Sequence, residues 1–398
     1  MNPNLNSLQP YPFEKLAQLL QGVTPSLDLA PINLSIGEPK HATPQFIQKI
    51  LAENLEGLAN YPITRGGSAL REAIASWTKR RFDLQHIDVD TEVLPVNGSR
   101  EALFAIAQAV IDASLPAPVV VCPNPFYQIY EGAALLACAV PHFVNLLPQN
   151  NFKLEFGQLD ESVWRRSQLV YVCSPGNPGG NVMTLDEWEE LFRLSDKYGF
   201  VIASDECYSE LYFDECSPSL GGLGAARLLG RSGYPRLIVF NSLSKRSNVP
   251  GMRSGFVVGE ATIIKKFLLY RTYHGCAMSP PVQAASIAAW NDETHVVENR
   301  RMYREKFIKV APVLKKLMPH LEIPQGGFYL WAGTPIPDTE FAWLLYRDYN
   351  VTVLPGSYLA REAHGINPGL NFVRIALVAP LAECIEAAQR IAVFIEQL

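Results

Sequence analysis

The sequence predicts an α/β protein: a mostly parallel sheet flanked by helices, followed by a smaller α+β unit. Three observations carry this. Short runs such as Val119-Val120-Val121, Leu169-Val170-Tyr171-Val172 and Phe200-Val201-Ile202-Ala203 are β-branched and apolar, the pattern of strands buried on both faces. Helical patterns lie between them, as crossover connections require. After Pro319 the order changes to short strands mixed with two helices, which reads as a separate α+β unit.

Taken in order, residues 1–12 are polar and proline-rich and read as an extended arm. A short helix is expected over 12–20 and a strand over 32–36, stopped by Gly37-Glu38-Pro39. Thr43-Pro44 opens a helix to about residue 55, and a second helix over 68–80 places Leu70, Ile74 and Trp77 on one face. From Val93 strands and helices alternate, and Leu237-Ile238-Val239-Phe240 and Phe256-Val257-Val258 complete the buried runs. Thr184-Leu185-Asp186-Glu187 is a capping box that opens a helix with Trp188, Leu191 and Phe192 inward. Residues 217–234 are glycine-rich and read as a surface loop. A helix is expected over 261–273. Another, carrying Trp290, runs on into the charged segment 298–318, as a helix joining two domains would. The remainder gives a helix over 338–349, strands over 351–354 and 371–378, and a final helix over 380–397. The division expected is 1–40 (arm and part of a small domain), 41–285 (large domain) and 286–398 (small C-terminal domain).

A chain of 398 residues, 48% of them hydrophobic, can bury a large core and is not a disordered protein. With 34 basic and 39 acidic side chains and no basic block, it is a poor partner for nucleic acid or an anionic membrane. Its seven cysteines are scattered and form no Cys-x-x-Cys, which suits free thiols in a reducing compartment. Neither a signal peptide nor a membrane-spanning stretch is visible, so a cytoplasmic protein is expected. No His-x-x-His or His-Glu-x-x-His occurs, so no catalytic metal is expected.

The chemistry centres on Asn241-Ser242-Leu243-Ser244-Lys245-Arg246-Ser247-Asn248-Val249-Pro250-Gly251-Met252-Arg253-Ser254-Gly255, between two buried strands. A lysine at a strand end is ordinarily a solvated charge. Here Ser242, Ser244 and Arg253 are donors suited to one phosphate. An amine beside a phosphate suggests a Schiff base to a phosphorylated aldehyde, pyridoxal phosphate. Asn97-Gly98-Ser99-Arg100-Glu101 opens a helix, whose N-terminus favours phosphate, although an ordinary helix cap would look the same. Asp205, with Tyr208 three residues on, ends a buried strand, where an acid is costly unless paired. Arg374 lies within the apolar strand Asn371-Phe372-Val373-Arg374-Ile375-Ala376 and demands an anionic partner. Gly37 lets backbone approach the same group.

The segment around Lys245 resembles the lysine motif of fold-type-I, class I/II aminotransferases, Ser-x-Ser-Lys-x…Gly-x-Arg, and is most similar to that of succinyldiaminopimelate transaminases. Ser174-Pro175-Gly176-Asn177-Pro178-Gly179-Gly180 resembles the family's Asn-Pro-x-Asn-Pro-Thr-Gly, departing at Ser174 and Gly179. Tyr61 to Arg71 resembles Tyr-x-x-x-x-Gly-x-x-x-Leu-Arg. Motifs in matching order span Gly37 to Arg374.

The resemblance implies a mostly parallel seven-stranded sheet in the large domain, pyridoxal 5′-phosphate as cofactor, and a homodimer with shared active sites. It implies that Lys245 takes the aldehyde and, once freed, moves the proton between substrate Cα and cofactor C4′. Ser99, Arg100, Ser242, Ser244 and Arg253 would hold the phosphate, with Tyr61 reaching it from the neighbouring subunit. Tyr127 would stack on the ring, Asp205 face its nitrogen, and Tyr208 and Asn177 bond its phenolic oxygen. Arg374 would take the substrate α-carboxylate beside Gly37. Arg65, four residues after Tyr61, is the candidate for the distal carboxylates. The substrates implied are N-succinyl-LL-2,6-diaminopimelate and 2-oxoglutarate, in lysine biosynthesis. An aspartate, aromatic or broad-specificity aminotransferase stays open, as does a lyase of the same fold, which would share the lysine. A regulator with a degenerate aminotransferase domain would need an appended DNA-binding module, and the residues before Gly37 are not basic.

Overall fold

The computed structural model describes residues 1–398. Its strands are β1 (Ile32–Asn33), β2 (Val93–Val96), β3 (Val119–Asn124), β4 (Val140–Asn145), β5 (Ser167–Cys173), β6 (Val201–Asp205), β7 (Leu237–Ser242), β8 (Gly255–Gly259), β9 (Tyr329–Gly333), β10 (Val351–Thr352), β11 (Leu354–Pro355) and β12 (Phe372–Ala376). Seven of them form one sheet in the order β2-β8-β7-β6-β5-β3-β4, in which β8 alone runs against the rest.

Successive side chains leave a strand on opposite faces. Val170, Val172, Ile202 and Val239 enter one core, against Trp77, Trp188 and Trp290 from helices Ser68–Phe82, Leu185–Tyr198 and Pro280–Asn291. Leu169, Tyr171, Ala203 and Ile238 enter the other, against helices Ser99–Val110, Ile129–Leu136 and Ala261–His274. Both faces are apolar, which is why these strands show no alternation in sequence.

A further core lies under the antiparallel sheet β11-β12-β9. Helices Asp338–Tyr349 and Leu381–Glu396 cover it, together with Val310 and Leu314 from the end of helix Thr294–Leu314. β1 joins this core from far away in the chain: Ile32 lies opposite Val351 in a parallel pair with β10.

Several elements differ from expectation. Residues 217–234 contain the helix Gly222–Leu228, buried from Gly222 to Ala226. A Cβ at Gly222 would press on Trp188 and Leu237, so the glycine serves close packing rather than a loop. β4 matches no expected strand. It is an edge strand carrying Pro141 and His142, and an edge tolerates proline where a central strand does not. The strand expected over 32–36 is two residues long, and that over 351–354 divides between two sheets. The helix expected to run on from Trp290 breaks at Asp292, whose Oδ2 accepts from the His295 amide (3.0 Å) and starts Thr294–Leu314 afresh. The arm is folded on its own chain. Pro3–Ser7 forms a 3-10 turn beside helix Ile129–Leu136, with Asn4 Nδ2 3.4 Å from Cys138 Sγ. No helix is long and apolar enough to cross a membrane.

Candidate active site

The carboxyl ends of the parallel strands open into a cavity of about 410 Å³, the place where open α/β sheets bind ligands. Most strands of the large sheet deliver a side chain to it, the edge strand β4 excepted. Ser99 and Arg100 follow β2, and Tyr127 follows β3. Asn177 follows β5, Asp205 ends β6 with Tyr208 just beyond, and Ser244 and Lys245 follow β7. Arg253 precedes β8, Arg374 projects from β12, and Gly37 comes from the segment after β1. Residues Tyr11, Pro12 and Phe13 complete the wall. Of the residues singled out from sequence, Ser242, Tyr61 and Arg65 alone do not line it.

Ser242 ends β7 and caps the one-turn helix Leu243–Arg246. Its Oγ accepts from the Ser244 amide at 3.1 Å and meets Ser244 Oγ at 3.0 Å. It therefore shapes the lysine turn, and Ser244 and Lys245 face the cavity. Lys245 Nζ stands 5.7 Å from the centre of the Tyr208 ring.

Ser99 is the first residue of helix Ser99–Val110, so the opening amides have no partner within the helix. Gly98 precedes it at φ 84°, and a Cβ there would overlap the Arg253 guanidinium. Arg253 Nη1 donates to the Pro250 carbonyl (3.1 Å), and no acid pairs with it. Helix amides, a serine hydroxyl and an unpaired arginine thus converge on one corner, a donor set for phosphate. The Arg100 side chain is engaged elsewhere: its Nε donates to the Tyr127 hydroxyl at 2.5 Å. What residue 100 offers that corner is its backbone amide.

Asp205 is buried without a cationic partner. Tyr130 Oη donates to Oδ2 at 2.7 Å and the Cys207 amide to Oδ1 at 3.2 Å. Burial pushes its carboxyl above the usual range, against the pull of those bonds and of the Lys245 charge. An acid in that state gains from a protonated ring nitrogen.

Arg374 is 4% exposed and has no acid beside it. Nη1 donates to Asn177 Oδ1 at 3.1 Å and Nη2 to the Ser35 carbonyl at 2.9 Å, while Nε has no partner. Its guanidinium lies 4.4 Å from the centre of the Tyr329 ring. The Tyr329 hydroxyl in turn meets that of Tyr208, which burial holds far above its ordinary pKa. A Cβ at Gly37 would overlap the Tyr329 hydroxyl, so glycine is what lets this segment close on the cavity.

Tyr61 is fully exposed, and Arg65 is bonded to Asp90, with Nη2 2.9 Å from Oδ1. Sequence reasoning does not reach Tyr329, Tyr130, Tyr11 or Phe13. Tyr130 carries a weak signal, lying three residues after Tyr127. Tyr11 and Phe13 flank the proline that opens helix Pro12–Leu19, Tyr11 at the end of the stretch read as a polar arm and Phe13 at the start of the short helix expected over 12–20.

The residues fit pyridoxal phosphate. A phosphate cradle that one added methyl would fill, a buried acid lacking a cation, an aromatic wall and a lysine share one cavity.

A sequence model of the family described as aminotransferase class I and II matches residues 30–391. An LL-diaminopimelate aminotransferase of Aquifex aeolicus is 31% identical over 97% of both chains. A crystal structure of an aminotransferase from Neisseria meningitidis is 52% identical, with a TM-score of 0.95, over 99% of this chain and 100% of that one. A probable N-succinyldiaminopimelate aminotransferase from Thermus thermophilus is 26% identical, with a TM-score of 0.85, over 96% of this chain and 99% of that one.

Proposed function

Because the chain belongs to the class I and II aminotransferases, which use pyridoxal phosphate, we propose that it transaminates N-succinyl-LL-2,6-diaminopimelate with 2-oxoglutarate. Arg374 is the observation that carries the amino-acid and oxo-acid chemistry of this reading. A buried guanidinium with no acid beside it and no partner for its Nε is expensive, and the α-carboxylate common to both substrates relieves it. The names of the Aquifex and Thermus relatives support a diaminopimelate-type donor.

Pyridoxal phosphate supplies an aldehyde that condenses with amines and a ring that draws electrons from the substrate α-carbon. The Ser99 helix terminus, Ser244 and Arg253 would hold its phosphate. Asp205 would keep a proton on the ring nitrogen, and Tyr208 and Asn177 would bond the phenolic oxygen. Arg374 orients the substrate so that its α-hydrogen faces Lys245. Lys245 would hold the aldehyde, and its Nζ, which faces the same cavity, would take up the substrate α-proton and give it back. Tyr11 and Phe13 exclude water from the open side.

In this reading residues 41–285 form the cofactor domain, and 286–398 with part of 1–40 the smaller one. The protein acts as a homodimer in which Tyr61 completes the other subunit's phosphate corner and Arg65 reads its distal carboxylates. The exposed apolar row Leu55, Leu58, Tyr61 and Ile63 supports such a contact. A second reading, LL-diaminopimelate itself as donor, is favoured by the name of the Aquifex relative.

Glutamate formation from 2-oxoglutarate, measured across donors, tests both. N-succinyl-LL-2,6-diaminopimelate is expected to give the highest kcat/KM. If LL-diaminopimelate leads, the second reading holds. If aspartate or an aromatic donor leads, the broader one does. Donor consumption without glutamate would mean a lyase.

A further inference from the structure

Lys245 sits in a helix of a single turn, Leu243–Arg246. So short a turn is not stable alone, and its last carbonyls have no partner within it. Ser242 holds its beginning. Its end is held from another helix: Asn299 Nδ2, on Thr294–Leu314, donates to the Lys245 carbonyl at 3.0 Å and to that of Arg246 at 3.3 Å. Asn299 is 1% exposed. Its Oδ1 accepts from Asn248 Nδ2 at 3.1 Å and lies 2.8 Å from His41 Nδ1. Both ends of the amide are therefore engaged, in a place where an unmet polar atom would be costly.

The same helix face makes related contacts one turn either side, as spacing by four residues dictates. His295 Nε2 meets Ser247 Oγ at 2.8 Å, and the Tyr303 ring packs on His41 with centroids 4.4 Å apart. None of these residues lines the cavity. His41 lies two residues beyond Pro39, which does. One amide thus anchors both the lysine turn and the loop that carries Gly37.

We propose that Asn299 is a positioning residue for Lys245, its side-chain amide capping the lysine turn and fixing where Nζ stands beside the Tyr208 ring. This rests on Lys245 being the residue that takes the cofactor aldehyde. Borohydride reduction of the unmodified holoenzyme and peptide mapping test that premise separately, since an adduct on another lysine would end it whatever Asn299 does.

The positioning role is read from N299D and N299S. N299D keeps the shape and the acceptor facing Asn248 and His41 but loses the donor to the turn; N299S removes most of the contact without adding charge. Expected in both are a fall in kcat of about tenfold or more with donor KM within about threefold. The pH midpoint of the holoenzyme's visible band should also shift by about half a unit or more. Melting temperature, measured alongside, separates positioning from loss of fold. Unchanged kcat and band midpoint would overturn the proposal. So would failure of both variants to fold, which would assign Asn299 to stability alone.

Discussion

The hydroxyls of Tyr329 and Tyr208 lie 3.0 Å apart, joining the first residue of β9 to the residue three beyond the end of β6. Tyr329 also packs its ring against the Arg374 guanidinium and leaves no room for a side chain at residue 37. The contact ties the ring end of the cavity to its carboxylate end. Tyr329→Phe should keep the packing and lose the hydrogen bond, worth about 1 kcal/mol, or roughly fivefold in kcat/KM. Melting temperature should change little. Steady-state kinetics equal to the parent's would show that Tyr208 needs no help from Tyr329.

Arg374→Lys keeps the charge but not the two-pronged geometry, and it strands Asn177 Oδ1 and the Ser35 carbonyl. Loss of about 3 kcal/mol, roughly a hundredfold in kcat/KM, is expected for the amino donor and for 2-oxoglutarate alike. Initial-rate measurements with each substrate varied in turn decide the matter. An effect confined to one of the two would remove Arg374 from the shared carboxylate site.

Asp205→Asn preserves shape and the bonds from Tyr130 and Cys207 while removing the charge. A rate loss of roughly a thousandfold, about 4 kcal/mol, is expected in single-turnover measurements. Activity within a few-fold of the parent would mean that the ring nitrogen does not depend on this carboxylate.

Glu206, the residue after Asp205 and just beyond the end of β6, offers a pH test of stability. Its Oε1 accepts from Ser204 Oγ at 2.9 Å and the Gly222 amide at 2.7 Å, while Oε2 has no partner. Burial pushes its pKa up to about 7 from an ordinary 4.5, against the pull of those bonds and of Arg81. Between those values the folded protein holds a proton that the unfolded chain has released, so stability falls as pH rises through the window. Glu206→Gln removes that titration. Its melting temperature should gain on the parent's from about pH 4.5 to 7 and run parallel above. Curves parallel throughout would show that Glu206 does not titrate in this range.

Much of the fold was legible because both-face burial leaves an unmistakable run of apolar residues, as in β5, β6 and β7. Lys245, Asp205 and Arg374 stand out for the complementary reason: each is a charge set within or at the end of such a run. β4 was hidden because an edge strand needs no such run. Gly222–Leu228 was hidden because glycines that admit a tryptophan look like glycines that free a loop. Tyr329 sits in Phe328-Tyr329-Leu330-Trp331, where sequence does not tell which aromatic keeps a hydroxyl in a cavity. Asn299 lies in a charged helix and reads as one more solvated polar residue. Its partners come from residues 41 and 245–248, a proximity that tertiary packing alone creates.

The pairing of β1 with β10 sets an order on biosynthesis. Val351 follows Ile32 by more than three hundred residues, whereas the seven strands of the large sheet have all been made once Gly259 has emerged. Closing so long a loop is slow, and domains fold as units during translation. The growing polypeptide therefore carries Ile32 and Leu34 unpaired beside a sheet already able to form. A product truncated before residue 351 would keep Lys245 and Asp205 yet lack Arg374 and the partner of its first strand. It would be a sticky client for chaperones and proteases rather than a slow enzyme.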